Sequence, residues 1–244
     1  MNIKNKLILV VGGNGLIGNE IIKEIKSNDG IPINLDISSK NPICDFFKTD
    51  ICSEKEISSS INEILTKYKR IDGLVNAAYP RTNDWNTSFE NVHTDSFSKN
   101  LNIQLSSIFS ISKRVSKIMI KQRSGSIVNI SSIYGSIGFD RSLYDSTKIS
   151  LPVAYSAIKG GLNSLNRYFA SFFGEYNIRC NCVSPGGIFD NQDGKFVNKY
   201  EKKVPLGRMG YSKDVSPIVV FLLSDKSSYI TGQNIIVDGG LTII

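Results

Sequence analysis

The stretch Gly12-Gly-Asn-Gly15-Leu-Ile-Gly18 constrains this chain more than any other. It follows directly on Leu7-Ile-Leu-Val-Val11, an unbroken apolar run of the kind that forms a strand buried on both faces of a parallel sheet. A helical pattern then runs from about Leu16 to Ile25, with Ile17, Glu20, Ile21, Glu24 and Ile25 dividing an apolar from a polar face. The glycines therefore sit in a strand-to-helix turn. There glycine permits unusual backbone angles and close approach, while the free amides and dipole of the helix start attract a pyrophosphate. The expected cradle is Gly12, Asn14, Gly15, Leu16, Ile17 and Gly18. The next apolar segment, Ile31-Pro-Ile-Asn-Leu-Asp36, ends in a carboxylate about 20 residues on, where a dinucleotide fold hydrogen-bonds the adenosine ribose. A carboxylate there repels a 2′-phosphate, and no Arg or Lys stands in the turn; Lys40, the only basic residue close by, reads as a surface side chain. The expected cofactor is NAD(H) in preference to NADP(H).

At 244 residues and 41% hydrophobic, the chain can bury one substantial core and reads as one domain, 1–244. It has no apolar run of about 18 residues and no leader pattern at its N-terminus, so a soluble cytoplasmic protein with no membrane contact is expected. The net charge of +7 comes from lysines interleaved with acids along the whole chain, which argues against nucleic-acid binding. Cys180-x-Cys182 lies in an alternating strand pattern, where core thiols are expected rather than metal ligands. His93, the only histidine, has no metal partners in the sequence around it, and no metal site is expected.

Asp50-Ile51 precedes a helical stretch over residues 53 to 69 and reads two ways, as groups beside an adenine edge or as a helix-initiating turn. Asp72-Gly-Leu-Val-Asn-Ala-Ala78 reads as a buried strand ending in small residues, so Asn76, Ala77 and Ala78 are expected close under a flat ring. Tyr79-Pro-Arg81 and Trp85 then open a polar loop. Phe97 to Lys121 has helical spacing, with Leu101, Leu105, Ile108, Phe109, Ile111, Val115 and Ile118 on the apolar side. Ser126-Ile-Val-Asn-Ile-Ser-Ser132 reads as a strand whose C-terminal end brings serines to the edge where open parallel sheets bind ligands. Tyr155-Ser-Ala-Ile-Lys159 then opens a long amphipathic run; if helical, phenol and ammonium leave one face a turn apart. A fixed cation lowers a phenol's pKa from about 10 toward a value useful for proton transfer. Taken alone, the same spacing also describes a solvated helix face.

The glycine turn, Asn76-Ala-Ala78, Asn129-Ile-Ser-Ser132, Tyr155-x-x-x-Lys159, Pro185-Gly186 and Val237-Asp-Gly-Gly240 resemble, in this order, the motifs of the short-chain dehydrogenase/reductase family over almost the whole chain. The resemblance implies a single-domain Rossmann-like α/β fold, a doubly wound parallel sheet of about seven strands. It implies that Tyr155 is the general acid/base, Ser132 orients the substrate oxygen and Lys159 binds the nicotinamide ribose. Pro185, Gly186 and the backbone of Ile188 would hold the nicotinamide end, and the region from Phe189 to Pro205 would be a lid. Gln104 falls where relatives carry a proton-relay asparagine, with Asn102 close by but out of helical phase. A homodimer or homotetramer acting on a small alcohol or ketone is expected.

Tyr144-Asp-Ser-Thr-Lys148 has the same Tyr-x-x-x-Lys spacing and lies nearer to Ser132. Tyr155 is preferred because small residues and an amphipathic helix follow Lys159, and Pro185-Gly186 lies at the family-like distance. Residues 134 to 153 are then an insertion, read either as a substrate-facing loop or as a surface excursion. The usual Asn-Asn-Ala-Gly reads Asn76-Ala-Ala-Tyr79, Leu16 replaces the middle glycine of the turn, and Ser-Ile-Tyr-Gly135 follows the catalytic strand. This combination resembles oxidoreductases of flagellin modification and surface-glycan synthesis, which implies a sugar or sugar-nucleotide substrate with Tyr79, Tyr134 and Phe189 facing it. The alternatives are an epimerase or dehydratase using NAD transiently, and a non-catalytic NAD-binding protein.

Overall fold

Leu7–Val11 (β1) is buried at every position, and four more strands beside it carry at most one or two half-exposed residues. Such strands need cover on both faces, which parallel pairing with crossover helices provides. The computed structural model describes residues 2–39, 43–147 and 151–244; Lys40 and Lys148 lie outside the described residues. Its seven strands are β1, Ile31–Asp36 (β2), Asp45–Lys48 (β3), Gly73–Asn76 (β4), Gly125–Ile130 (β5), Ile178–Pro185 (β6) and Asn234–Val237 (β7). They form one parallel sheet in the order β3-β2-β1-β4-β5-β6-β7. The order reverses between β1 and β4, which opens a crevice at the C-terminal strand ends.

Two cores flank the sheet. On one side Ile21, Ile22 and Ile25 of Leu16–Ser27 (α1) meet Val215, Val219 and Leu223 of Ser212–Leu223 (α7) over Ile8 and Val10. On the other, Ile57 and Ile61 of Glu54–Tyr68 (α2) join Ile111, Val115, Phe169 and Phe173 over Leu7 and Leu9. The doubly wound expectation holds. No helix of the described residues is long and apolar enough to cross a membrane.

Two elements differ from the sequence pattern. β3 is a short, half-exposed edge strand with no continuous apolar run, so no strand is expected from its residues. The helix expected over 97–121 is three pieces: Thr94–Leu101 (α3), a π-helical turn at Asn102–Ser106, and Ser107–Gln122 (α4). The wider turn shifts the faces that an unbroken 3.6-residue period assigns. Phe109, expected in the core, is 41% exposed, whereas Gln104 is 2% exposed and Asn102 faces solvent.

Candidate active site

The glycine turn closes the crevice at the β1 end. Gly12 has φ +78°, and a Cβ there would lie 2.6 Å from the Ala78 Cα. A Cβ on Gly18 would lie 2.1 Å from the Gly12 carbonyl oxygen. These two glycines lock α1 and the end of β4 together. Gly15, the exposed N-cap of α1, differs, because a Cβ there meets only the Gly12 oxygen at 3.2 Å. It leaves bare backbone at a helix N-terminus, a surface that fits a pyrophosphate. Leu16 begins the helix with its side chain exposed and Ile17 half-buried.

Asp36 reaches back to this turn. Its carboxylate accepts the backbone N–H of Asn14 at 3.0 Å and that of Ile37 at 2.8 Å. Asn14 in turn accepts from Asn34 at 2.9 Å. Asp50 behaves as the start of α2: its carboxylate accepts the Cys52 N–H at 2.9 Å, and its own N–H donates to Glu56 at 2.8 Å. Ile51 is buried in the core beneath. Asn76 is buried and donates to Asn129 at 2.8 Å, whose own amide donates to Asn166 at 3.3 Å. That chain ties β4 and β5 to the helix behind them.

Val153–Phe173 (α5) carries Tyr155 in its first turn and Lys159 one turn later. A tight turn at Ile133–Gly135 lays Ser132 against it. Gly135 makes the approach possible, since a Cβ there would sit 2.8 Å from the Lys159 backbone. Ser132 is buried, accepts the Tyr134 N–H at 3.2 Å and lies near enough to the Tyr155 phenol to pull its pKa down. Lys159 is buried with its ammonium donating to the Ile130 carbonyl at 2.9 Å, 5.6 Å from the Tyr155 ring centre.

One electrostatic expectation is corrected. Burial raises the Tyr155 pKa above its ordinary value instead of leaving it lowered, and the Ser132 hydroxyl opposes the rise. Burial holds Lys159 itself down to about 8. Below about pH 8 its buried charge opposes folding, and that penalty is relieved as pH rises from there toward the ordinary lysine value. The phenol is thus protonated through neutral pH and suited to act as an acid. Carbonyl reduction is expected to run level through neutral pH and to fall as Lys159 loses its proton above about 8, read from a pH profile of kcat/KM.

Rings surround Tyr155. Tyr79 stands edge-on to it at 5.7 Å, Trp85 at 6.4 Å and Tyr134 at 6.5 Å. Trp85, read from the sequence as part of a polar loop, is 6% exposed and packs with Ala154 and Ile158. Nothing local in its sequence marks it apart from being the only tryptophan. Phe189 does not join this group. The Ile188 bridge to Gly210 and the Phe189 N–H to Gly210 carbonyl bond, 2.8 Å, turn its ring onto Tyr211.

Tyr144 is not on a helix. Its hydroxyl meets that of Tyr134 at 2.9 Å, and its ring packs on Phe196 at 5.3 Å. Phe196 lies on Gly194–Lys203 (α6), inside the expected lid. Lys199 donates to the Ser142 carbonyl at 3.2 Å, Lys203 to the Ser142 hydroxyl at 2.7 Å, and Lys203 pairs with Asp140. Residues 140 to 145 are therefore docked on α6. Tyr200 of α6 accepts the Gly187 N–H and so rests on the Pro185-Gly186 turn. Gln104 is buried with its amide nitrogen unpartnered.

A glycine-lined crevice at the switch point, with serine, tyrosine and lysine converging at the adjoining strand ends, defines a Rossmann-type oxidoreductase. Comparison with known proteins gives the family. Residues 34–242 match the family described as enoyl-(acyl carrier protein) reductase. The chain is 34% identical, over 98% of both chains, to the post-translational flagellin modification protein A of Campylobacter coli. It is 33% identical to the 7alpha-hydroxysteroid dehydrogenase of Bacteroides fragilis, over 98% of this chain and 95% of that one. The crystal structure of a short-chain dehydrogenase from Leptospira borgpetersenii with bound NAD+ superimposes with a TM-score of 0.91 at 33% identity, covering 99% of this chain and 94% of that one. The chain belongs to the short-chain dehydrogenase/reductase family, a family of oxidoreductases.

Proposed function

We propose that this protein is an NAD-dependent oxidoreductase moving hydride to or from a secondary alcohol or ketone carbon of a sugar or sugar nucleotide used in surface-glycan synthesis. The observation that carries the reading is the convergence of buried Ser132, Tyr155 and, one turn along, Lys159, whose ammonium lies 5.6 Å from the Tyr155 ring centre, beside a glycine turn open at Gly15. The glycan assignment draws support from the likeness to a flagellin modification protein.

Gly12, Asn14, Gly15, Leu16, Ile17 and Gly18 would hold the pyrophosphate and Asp36 the adenosine ribose, with Asp50 and Ile51 by the adenine. Asn76, Ala77 and Ala78 would lie beneath the rings, Lys159 would hold the nicotinamide ribose, and Pro185, Gly186 and Ile188 the carboxamide. When bound, the dinucleotide supplies the carbon that gives or takes hydride. Ser132 fixes the substrate oxygen by hydrogen bonding, and Tyr155 gives its phenolic proton to that oxygen in reduction or takes it back in oxidation. Gln104, buried with an unpartnered amide, would hold a water that relays the proton onward. Tyr79 and Tyr134 form the walls next to the reacting carbon.

Hydride exchange with a panel of sugars and sugar nucleotides, followed by NADH absorbance, tests the assignment. Net cofactor consumption supports it, whereas product formation with the cofactor regenerated places the chain among transient NAD users. The preference for NAD rests on Asp36. Replacing Asp36 with Ser is expected to cut the ratio of NADH to NADPH affinity by about tenfold or more, read by fluorescence titration, because the repelling charge is gone.

A cytoplasmic homodimer or homotetramer completes the proposal. Phe109 of α4 and Tyr168 and Phe172 of α5 leave an exposed apolar face in which Tyr168 and Phe172 stack at 6.0 Å. A second copy of the chain would cover it.

A further inference from the structure

We infer that the substrate carries an oxyanion, a phosphate or carboxylate, and that Arg81 receives it. This rests on the oxidoreductase reading of the same site and adds the charge class of its substrate. Arg81 lies in the exposed loop after β4 with its guanidinium 5.5 Å from the Tyr79 ring centre. Tyr79 in turn stands edge-on to Tyr155 and to Trp85, and the Lys159 ammonium lies 5.7 Å from its centre. The arginine therefore stands one ring away from the phenol, in a contact with the Tyr79 ring that does not use its N–H donors.

Among the described residues no carboxylate forms an ion pair with it. Neither acid of this loop, Asp84 or Glu90, is among the ion pairs of the described residues. Lys159 contacts the Ile130 carbonyl and, among the described residues, pairs with no acid. Two cations thus lie against the Tyr79 ring with no carboxylate paired to either among the described residues, and a guanidinium with free donors matches a phosphate or carboxylate in shape and charge. A neutral polyol would leave that field unanswered.

Trp85, the only tryptophan, packs edge-on to Tyr79 at 5.6 Å, so its fluorescence reports on this cluster. With the full-length protein saturated with NAD+, so that the glycine turn is filled, a hexose phosphate, a hexonate and the free hexose are titrated against Trp85 emission. The charged probes are expected to bind about ten- to a hundredfold more tightly than the free hexose. Which of the two charged probes binds tighter separates a phosphate from a carboxylate substrate. Arg81→Gln should erase that preference with NAD+ affinity unchanged, and Arg81→Lys should restore part of it. Equal binding of charged and neutral probes, or an anion preference that survives Arg81→Gln, would overturn the inference. A protein that prefers anions at Trp85 but binds no NAD+ would lose the proposed function and keep this site.

Discussion

Tyr155→Phe is expected to lower kcat by about a hundred- to ten-thousandfold while NADH still binds, the loss that follows removal of a positioned general acid. Only the phenolic oxygen is removed, and the ring keeps its edge contacts with Tyr79, Trp85 and Tyr134. The informative partner is Tyr144→Phe. That hydroxyl meets Tyr134 and the ring packs on α6, so its loss is expected to raise KM a few-fold with kcat near that of the parent. Steady-state kinetics on both variants decide the matter. An active Tyr155→Phe beside an inactive Tyr144→Phe would move the acid to Tyr144.

The second large effect separates folding from binding within one turn. Gly12→Ala puts a Cβ against Ala78 and demands φ +78° of an L-residue, a backbone strain of about 1–3 kcal/mol before the collision is counted. Against a typical domain stability of about 5–15 kcal/mol, melting temperature and cofactor affinity should both drop. Gly15→Ala meets one oxygen at 3.2 Å in an open place. Its melting temperature should stay near that of the parent while NADH affinity falls, because the added methyl stands where the pyrophosphate would approach the backbone. Calorimetry and fluorescence titration on the pair give both readings. Equal affinity in Gly15→Ala and the parent would remove the pyrophosphate from this turn.

Much of this site was legible because its parts are local. The glycine turn, Asp36 and the Tyr155 to Lys159 spacing each lie within one element or at one element's end, where chain geometry alone fixes relative position. What escaped is carried by contacts between distant segments. Tyr79 and Trp85 leave a loop with no period and meet Tyr155 only because α5 packs beside β4's exit. Lys159 is drawn to the Ile130 carbonyl of a neighbouring strand, and burial raises the phenol's pKa where spacing on a helix suggests a fall. A π-helical turn is invisible to a 3.6-residue period, and it is what buries Gln104 and exposes Phe109. The docking of residues 140 to 145 on α6 depends on Lys199 and Lys203 meeting residues about 60 positions earlier, a pairing no local pattern announces.

The most direct test of the account is a titration of the purified protein with NADH and, separately, NADPH, following nicotinamide fluorescence. Saturable binding of NADH with NADPH at least about tenfold weaker is the predicted result, since Asp36 faces the turn and no basic residue stands within it. Binding of neither dinucleotide would contradict the assignment of the crevice, and tighter binding of NADPH would contradict the role given to Asp36.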